Sequence, residues 1–343
     1  MHCTLHISRA HSFLFFCIVM FHVLFLGENP EVFRGVFTAE QRRRIGEAGR
    51  LLSEEVLGAD ALASGDFREC EVAFATWGMP QLSEKLLSGL PRLKAVFYAA
   101  GATESFARPL LERGILLTSA WQENAVPVAE FALAQIILSL KNYFRDSQAC
   151  KASPEGFHSV PAGPGAYGEQ VGLIGDGAVS MHLKALLERV LEVRVRQLPT
   201  SRAQAGEGLS ELFRECYVVS NHLPDLPQCK GLLDGALFSS MRQGATFINT
   251  GRGAQVNESE LAAVLRERPD LTALLDVTCP EPPAPESPLR ALPNVHFSSH
   301  LAGSVNDETH RMAEAAIQEF LRFQKGEAPL HPVTLEQVSP FWK

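Results

Sequence analysis

The chain has 343 residues, 46% of them hydrophobic, with a formal net charge of −8. That length and apolar content suit two compact units, each with its own core, and two units leave a cleft between them. The longest basic run is Arg42-Arg43-Arg44, which argues against nucleic acid as a partner. The seven cysteines (Cys3, Cys17, Cys70, Cys150, Cys216, Cys229 and Cys279) are scattered without a CxxC pair or a His/Cys cluster, so no metal is expected and a cytoplasmic protein with reduced thiols fits best.

In chain order, residues 13–26 are apolar except for His22 and follow a weakly basic start at Arg9. A signal peptide has this composition. The run is nevertheless too short for a membrane span of ~20 residues, it breaks at Gly27-Glu28-Asn29-Pro30, and no A-x-A-like cleavage site follows. The expectation is a buried first strand over 21–26 and no membrane, with residues 1–19 an unexplained leader and Met20 a candidate start. From Thr38 onward, helical patterns alternate with short apolar runs at 72–76, 93–98, 115–118, 171–174, 217–220, 246–249, 271–277 and 295–298. Such alternation predicts α/β layers, and runs apolar on both faces predict doubly wound parallel sheets. Residues 128–144 are too long and too uniformly apolar for a strand, and Pro127 suits a first helical turn, so a buried helix is predicted there. A Gly/Pro/Ser-rich arm follows at 152–168. The tail at 308–325 has helical spacing in Met312, Ala316, Phe320 and Phe323, and can return to pack on the first unit.

The run Val171-Gly172-Leu173-Ile174-Gly175-Asp176-Gly177-Ala178-Val179-Ser180 reads as strand, glycine turn and helix. Gly175 permits the tight turn, Gly177 lets backbone approach a pyrophosphate, and the helix start at Ala178 and Val179 offers unpaired N–H groups. Ser180 takes the third glycine position, and Asp176 adds a negative charge beside the presumed pyrophosphate. An isolated match of this kind is about as often a plain strand-to-helix turn. The acid that usually grips the adenosine ribose is missing, because Leu198 falls near its place. Hydroxyls at Thr200 and Ser201 with Arg202 could accept a 2′-phosphate, so the cofactor is NAD or NADP. Arg196 and Arg202 read equally well as solvated surface charges.

Further along, Phe247-Ile248-Asn249-Thr250-Gly251-Arg252-Gly253 ends a strand in a turn that projects an arginine, and Asn257 with Glu260 forms a capping-box-like helix start. Leu275-Asp276-Val277 leads to the proline-flanked Glu281, and Val295-His296-Phe297-Ser298-Ser299-His300 ends a strand in a histidine. Arg252, Glu281 and His300 all follow strand ends, which in open α/β sheets face the ligand crevice. An arginine can hold a substrate carboxylate, a histidine can pass a proton to or from the neighbouring carbonyl oxygen, and a carboxylate can orient that histidine. Taken singly, each of the three is more simply a surface or hydrogen-bonded residue.

The order of Gly251-Arg252-Gly253, then Asp276-Val277 before Glu281-Pro282-Pro283, then His300-Leu301-Ala302-Gly303 resembles the D-isomer-specific 2-hydroxyacid dehydrogenase family, including its D-3-phosphoglycerate and glyoxylate/hydroxypyruvate branches. The similarity runs over 72–323 and includes Asn124-Ala125-Val126-Pro127-Val128-Ala129-Glu130, Val219-Ser220-Asn221-His222-Leu223-Pro224 and Ser287-Pro288-Leu289. The resemblance implies a Rossmann nucleotide-binding domain at 121–303 inserted in a discontinuous flavodoxin-like substrate domain, 20–120 plus 304–343. It implies hydride transfer between NAD(P)H and a small 2-oxoacid to give a D-2-hydroxyacid. Arg252 would anchor the carboxylate, and His300 would be the general acid with Glu281 as its partner. Ala100, Gly101 and Ala102 would supply backbone donors to substrate, and Asp276 would meet the nicotinamide amide. Leu223, Pro224, Thr250 and Gly303 would complete the cofactor site, with Trp77 and Tyr98 nearby wall residues at best. A homodimer through the nucleotide domains, near 128–144 and the following arm, is also implied. Ser299, Ser180 and Leu198 depart from the family pattern. The alternative is a non-catalytic, dinucleotide-sensing binding protein like the corepressors that share this fold.

Overall fold

The structure is a computed structural model that describes residues 20–338, so the leader expected at 1–19 lies outside the described residues. The first sheet contains β1 (His22–Leu26), β2 (Arg50–Leu57), β3 (Val72–Ala75), β4 (Ala95–Tyr98) and β5 (Leu116–Ser119), in spatial order β2-β1-β3-β4-β5. All of its pairings are parallel, which is the flavodoxin-like strand order. β3 and β4 are buried at every position because helices cover both faces, which is why they read as continuous apolar runs. β2 escapes sequence reading. It is a half-exposed edge strand, Arg-Leu-Leu-Ser-Glu-Glu-Val-Leu, and its register against β1 shifts between Val23 and Phe25.

One face of this sheet is closed by the returning helix Thr309–Gln324. Its Met312, Ala313, Ala316, Ile317 and Phe320 join Phe33, Phe37, Phe74 and Phe97 in a single apolar cluster. Phe320 meets Phe74 edge-on, at 5.4 Å between ring centroids and 84° between planes.

The second sheet holds β6 (Gln170–Ile174), β7 (Arg194–Leu198), β8 (Val218–Asn221), β9 (Thr246–Asn249), β10 (Thr272–Leu275) and β11 (Val295–Phe297), in order β11-β10-β9-β8-β6-β7. Chain order reverses between β6 and β8, so a crevice opens beyond their carboxyl ends. The long apolar helix spans Trp121–Leu140 and lays Ala129, Ala132, Ile136 and Leu140 on Val171, Leu173, Leu183 and Leu187. Among the described residues it is long and apolar enough to cross a membrane, yet this face belongs to the core of the second sheet.

The helix begins several residues before the predicted start. Pro127 lies inside it, not in its first turn, and is buried with Ala125, Val128 and Ala129. That packing outweighs the loss of one backbone donor. It breaks at Asn142, held at φ 62°, and a second helix, Tyr143–Ala152, continues to the arm. Gly163 of the arm lies so near that an added Cβ would stand 2.3 Å from the Leu140 carbonyl oxygen. The arm displays Phe157 and Tyr167 on the surface.

Candidate active site

The glycine turn joins β6 to the helix Ala178–Val190. Gly175 sits at φ 106°, and a Cβ there would stand 2.7 Å from the His222 carbonyl oxygen, so only glycine fits. A Cβ on Gly177 would meet nothing within 4 Å. Gly177 is also the N-cap of the 13-residue helix and contributes no side-chain cap, leaving the first amides uncapped beside a cavity that Gly177, Ala178 and Val179 help to line. A pyrophosphate fits this open, amide-lined end. The adenosine side is less typical. Leu198 is buried in the core, and the Ser180 hydroxyl is buried without a partner. Asp176 Oδ1 accepts hydrogen bonds from the backbone N–H (3.1 Å) and hydroxyl (2.8 Å) of Thr200. The loop acid thus ties down the end of β7. Arg196 pairs with Glu211 and Glu215, and Arg202 lies 3.5 Å from Glu207 with more than half its surface exposed, so both arginines are engaged on the surface.

At the end of β8, His222 is enclosed. Its Nε2 lies 2.9 Å from Ser220 Oγ and its Nδ1 lies 3.1 Å from Thr250 Oγ1. Burial holds the imidazole down to about 3, so it is neutral at physiological pH. Asn221 and Asn249 stand opposite each other in the β8–β9 register. Asn221 donates to Asn249 Oδ1 (3.0 Å) and to Gln255 Oε1 (2.7 Å). Gln255 in turn donates to the carbonyl oxygens of Leu223 and Pro224 and accepts from the Arg252 backbone N–H. Sequence reading gave Gln255 no role. Buried polar residues at adjacent strand ends are the signal that could have marked the pair Asn221 and Asn249.

Arg252 projects from the turn after β9. A Cβ on Gly253 would overlap Thr278 backbone, so this turn lies flat against the end of β10. Arg252 Nη1 donates to the Gly251 carbonyl oxygen at 2.8 Å, and its Nε lies 3.7 Å from Asp225 Oδ2. It shares a cavity of about 510 Å³ with Gly101, Ala102, Asp176, Gly177, Leu223, Pro224, Thr250 and the unanticipated Trp121. Ser119 Oγ makes hydrogen bonds of 2.8 and 2.7 Å to the carbonyl oxygens of Ala100 and Gly101, fixing that loop. Tyr98 instead packs its ring on Phe106, and neither it nor Trp77 lines this cavity.

Glu281 and His300 line a neighbouring cavity of about 670 Å³ together with Asp276. His300 Nδ1 lies 2.7 Å from Glu281 Oε1, with both side chains about half exposed. His300 is held in the left-handed region at φ 56°, a conformation that costs a non-glycine residue energy. Asp276 is what holds it. Its Oδ1 accepts from Ser298 Oγ (2.6 Å) and the Leu301 backbone N–H (3.0 Å), and its Oδ2 from the Ala302 backbone N–H (3.0 Å). The residue expected to meet the nicotinamide thus has both oxygens engaged by the His300 loop.

On the Glu281 side, Glu258 accepts from the Cys279 backbone N–H at 2.7 Å, and burial pushes the Glu258 carboxyl above its usual range. Glu260 does not close the expected capping box. Asn257 caps the helix Glu258–Glu267, while the Glu260 carboxylate accepts from the Gly235 backbone N–H at 2.6 Å. Gly303 lies against Asn124, whose Oδ1 accepts from the Ser304 backbone N–H at 3.1 Å where the chain crosses back to the first sheet. Ser201, Arg202, Ala100 and Gly303 line neither cavity.

Residues 133–302 match the NAD-binding domain of the D-isomer specific 2-hydroxyacid dehydrogenases. D-3-phosphoglycerate dehydrogenase of Haemophilus influenzae is 28% identical over 273 residues, 75% of this chain and 65% of that protein, so the match spans slightly under two thirds of the relative. Glyoxylate reductase of Aeropyrum pernix is 28% identical over 267 residues, covering 74% of this chain and 80% of that one. Among solved structures, the apo form of Rhodotorula graminis D-mandelate dehydrogenase superposes with a TM-score of 0.75 at 21% identity, covering 92% of this chain and 98% of that one. At that identity the likeness speaks to the fold alone. The matched stretch takes in every strand of the second sheet, so the second sheet is that of the NAD-binding domain of the D-isomer specific 2-hydroxyacid dehydrogenases.

Proposed function

We propose that the chain reduces small 2-oxoacids to D-2-hydroxyacids with NADH or NADPH. The observation that carries this reading is the 2.7 Å contact between His300 Nδ1 and Glu281 Oε1 at the strand ends of the nucleotide sheet. A reduced nicotinamide, when bound, would supply the hydride that the carbonyl carbon needs. Arg252 holds the substrate carboxylate, with the backbone amides of Gly101 and Ala102 on the opposite wall. Glu281 accepts the Nδ1 hydrogen of His300, which turns Nε2 toward the substrate and lets the protonated ring donate to the carbonyl oxygen. Asp276 acts indirectly by holding the loop that carries His300. Gly175, Asp176, Gly177, Ala178 and Val179 would receive the nucleotide, with Leu223, Pro224, Thr250 and Gly303 along its length and Ser201 and Arg202 beside a 2′-phosphate.

The same reading takes the protein as a cytoplasmic homodimer. Ile137, Leu138, Tyr143, Phe157 and Tyr167 are large exposed apolar side chains on the long helix, its successor and the arm, and they suit a second copy. Cys70, Cys150, Cys216, Cys229 and Cys279 are free thiols.

A second reading, a non-catalytic nucleotide-sensing protein, is favoured by one observation: Arg252 and the Glu281–His300 pair line different cavities. The test is a panel of glyoxylate, hydroxypyruvate, pyruvate and bulkier 2-oxoacids with each cofactor, followed at the nicotinamide absorbance. Turnover supports the reductase, and none with any substrate overturns it in favour of the sensor.

A further inference from the structure

The carboxylate anchor has an acid beside it that the proposed reaction does not use. Asp225 follows Pro224 in the turn after β8, and its Oδ2 lies 3.7 Å from Arg252 Nε. Arg252 Nη1 is already committed to the Gly251 carbonyl oxygen at 2.8 Å. A substrate carboxylate that takes the Nε edge of the guanidinium, one of its two forks, meets Asp225 already standing there. Two carboxylates on one guanidinium edge repel each other. The surrounding wall sharpens the conflict, because Glu104, Asp176 and Asp225 line this cavity and Arg252 is the cation among its described lining residues, while buried His222 is neutral.

A cleft of this kind disfavours a simple oxoacid. It is complementary, head to tail, to a zwitterion: a carboxylate for Arg252 and a positive group for Asp225. We propose that Asp225 is a specificity-determining residue that selects 2-oxoacids bearing a cationic side chain. The inference rests on the 2-oxoacid reading above and names the substrate class within it.

The experiment uses three ligands of matched reach: a 2-oxoacid ending in trimethylammonium, its uncharged tert-butyl isostere, and 2-oxoadipate. Binding of each to the full chain saturated with oxidised cofactor is measured by titration calorimetry, for wild type and Asp225→Asn, and turnover is measured separately. Wild type should bind the cationic ligand about fivefold or more tightly than its isostere, the scale of one half-exposed ion pair. 2-Oxoadipate should bind most weakly of the three. Asp225→Asn should erase the cationic preference and tighten 2-oxoadipate. Equal binding of the isosteres by wild type, or a cationic preference that survives Asp225→Asn, overturns the role of Asp225. A cationic preference in binding without turnover of any oxoacid overturns the reductase reading and leaves the Asp225 assignment standing.

Discussion

A pair of single-methyl additions in the glycine turn separates the shape of the backbone from its use. At Gly175 an alanine Cβ would stand 2.7 Å from the His222 carbonyl oxygen and 3.0 Å from its carbon, on a backbone at φ 106°. An L residue held there costs about 1–3 kcal/mol before any overlap is relieved. Relief must come from backbone, since the neighbours are main-chain atoms, and His222 is itself tied to Ser220 and Thr250. Gly175→Ala should therefore lower Tm by about 2–4 °C for each kcal/mol in a domain of this size, and weaken NADH and NADPH together.

At Gly177 the methyl would meet no protein atom within 4 Å, on an ordinary backbone at φ −74°. It would enter the space assigned to the pyrophosphate. Gly177→Ala should keep Tm within a few degrees, allowing for a poorer N-cap, and lose roughly tenfold or more in nucleotide affinity. Scanning calorimetry of the free protein and fluorescence titration with each nucleotide read both effects. Wild-type Tm and affinity in Gly175→Ala refute the steric argument, and wild-type affinity in Gly177→Ala refutes the pyrophosphate assignment.

Arg252→Ala should raise KM for 2-oxoacids at least about tenfold while sparing cofactor affinity, and His300→Ala should lower kcat by about 10²–10⁴ with little change in binding; wild-type kinetics in both would end the mechanism. Asp176→Asn should raise kcat/KM with NADPH relative to NADH, because a negative charge beside Thr200, Ser201 and Arg202 is removed; an unchanged ratio places the adenosine ribose elsewhere. Phe320→Ala should cost about 3–5 kcal/mol in urea unfolding, since the ring closes the aromatic cluster against Phe74 and Phe97. His222 is held at about 3 against an ordinary value of 6.5, so its folded-state pKa is depressed. The unfolded chain takes up a proton that the native site refuses, so stability is full above pH 6.5 and falls as pH drops toward 3. The slope from this residue is at most about 1.4 kcal/mol per pH unit. Urea midpoints measured across that range should show a shallower acid decline in His222→Gln.

Most strands were legible in the sequence because helices cover both faces of these sheets, so a buried strand must be an apolar run wherever it lies. β2 was not, since an edge strand carries Arg50, Glu54 and Glu55 and is defined by its pairing with β1. The start of the long helix was misplaced for a similar reason. Pro127 marks a helix start locally, and only packing against the second sheet carries the helix through it.

The site divides along the same line. Glycine at 175 and 177 is a local necessity, and the order of Arg252, Glu281 and His300 at strand ends follows from parallel strands whose carboxyl ends share one edge. The sequence alone therefore determined the fold class, the turn and the candidate chemistry. Tertiary structure decided which groups meet: Asp276 on the His300 loop, Gln255 bridging two turns, Asp225 against Arg252, and two cavities between the three charged groups. Such contacts join residues far apart in the chain, and their side-chain geometry depends on sheet order and register, which no local pattern encodes.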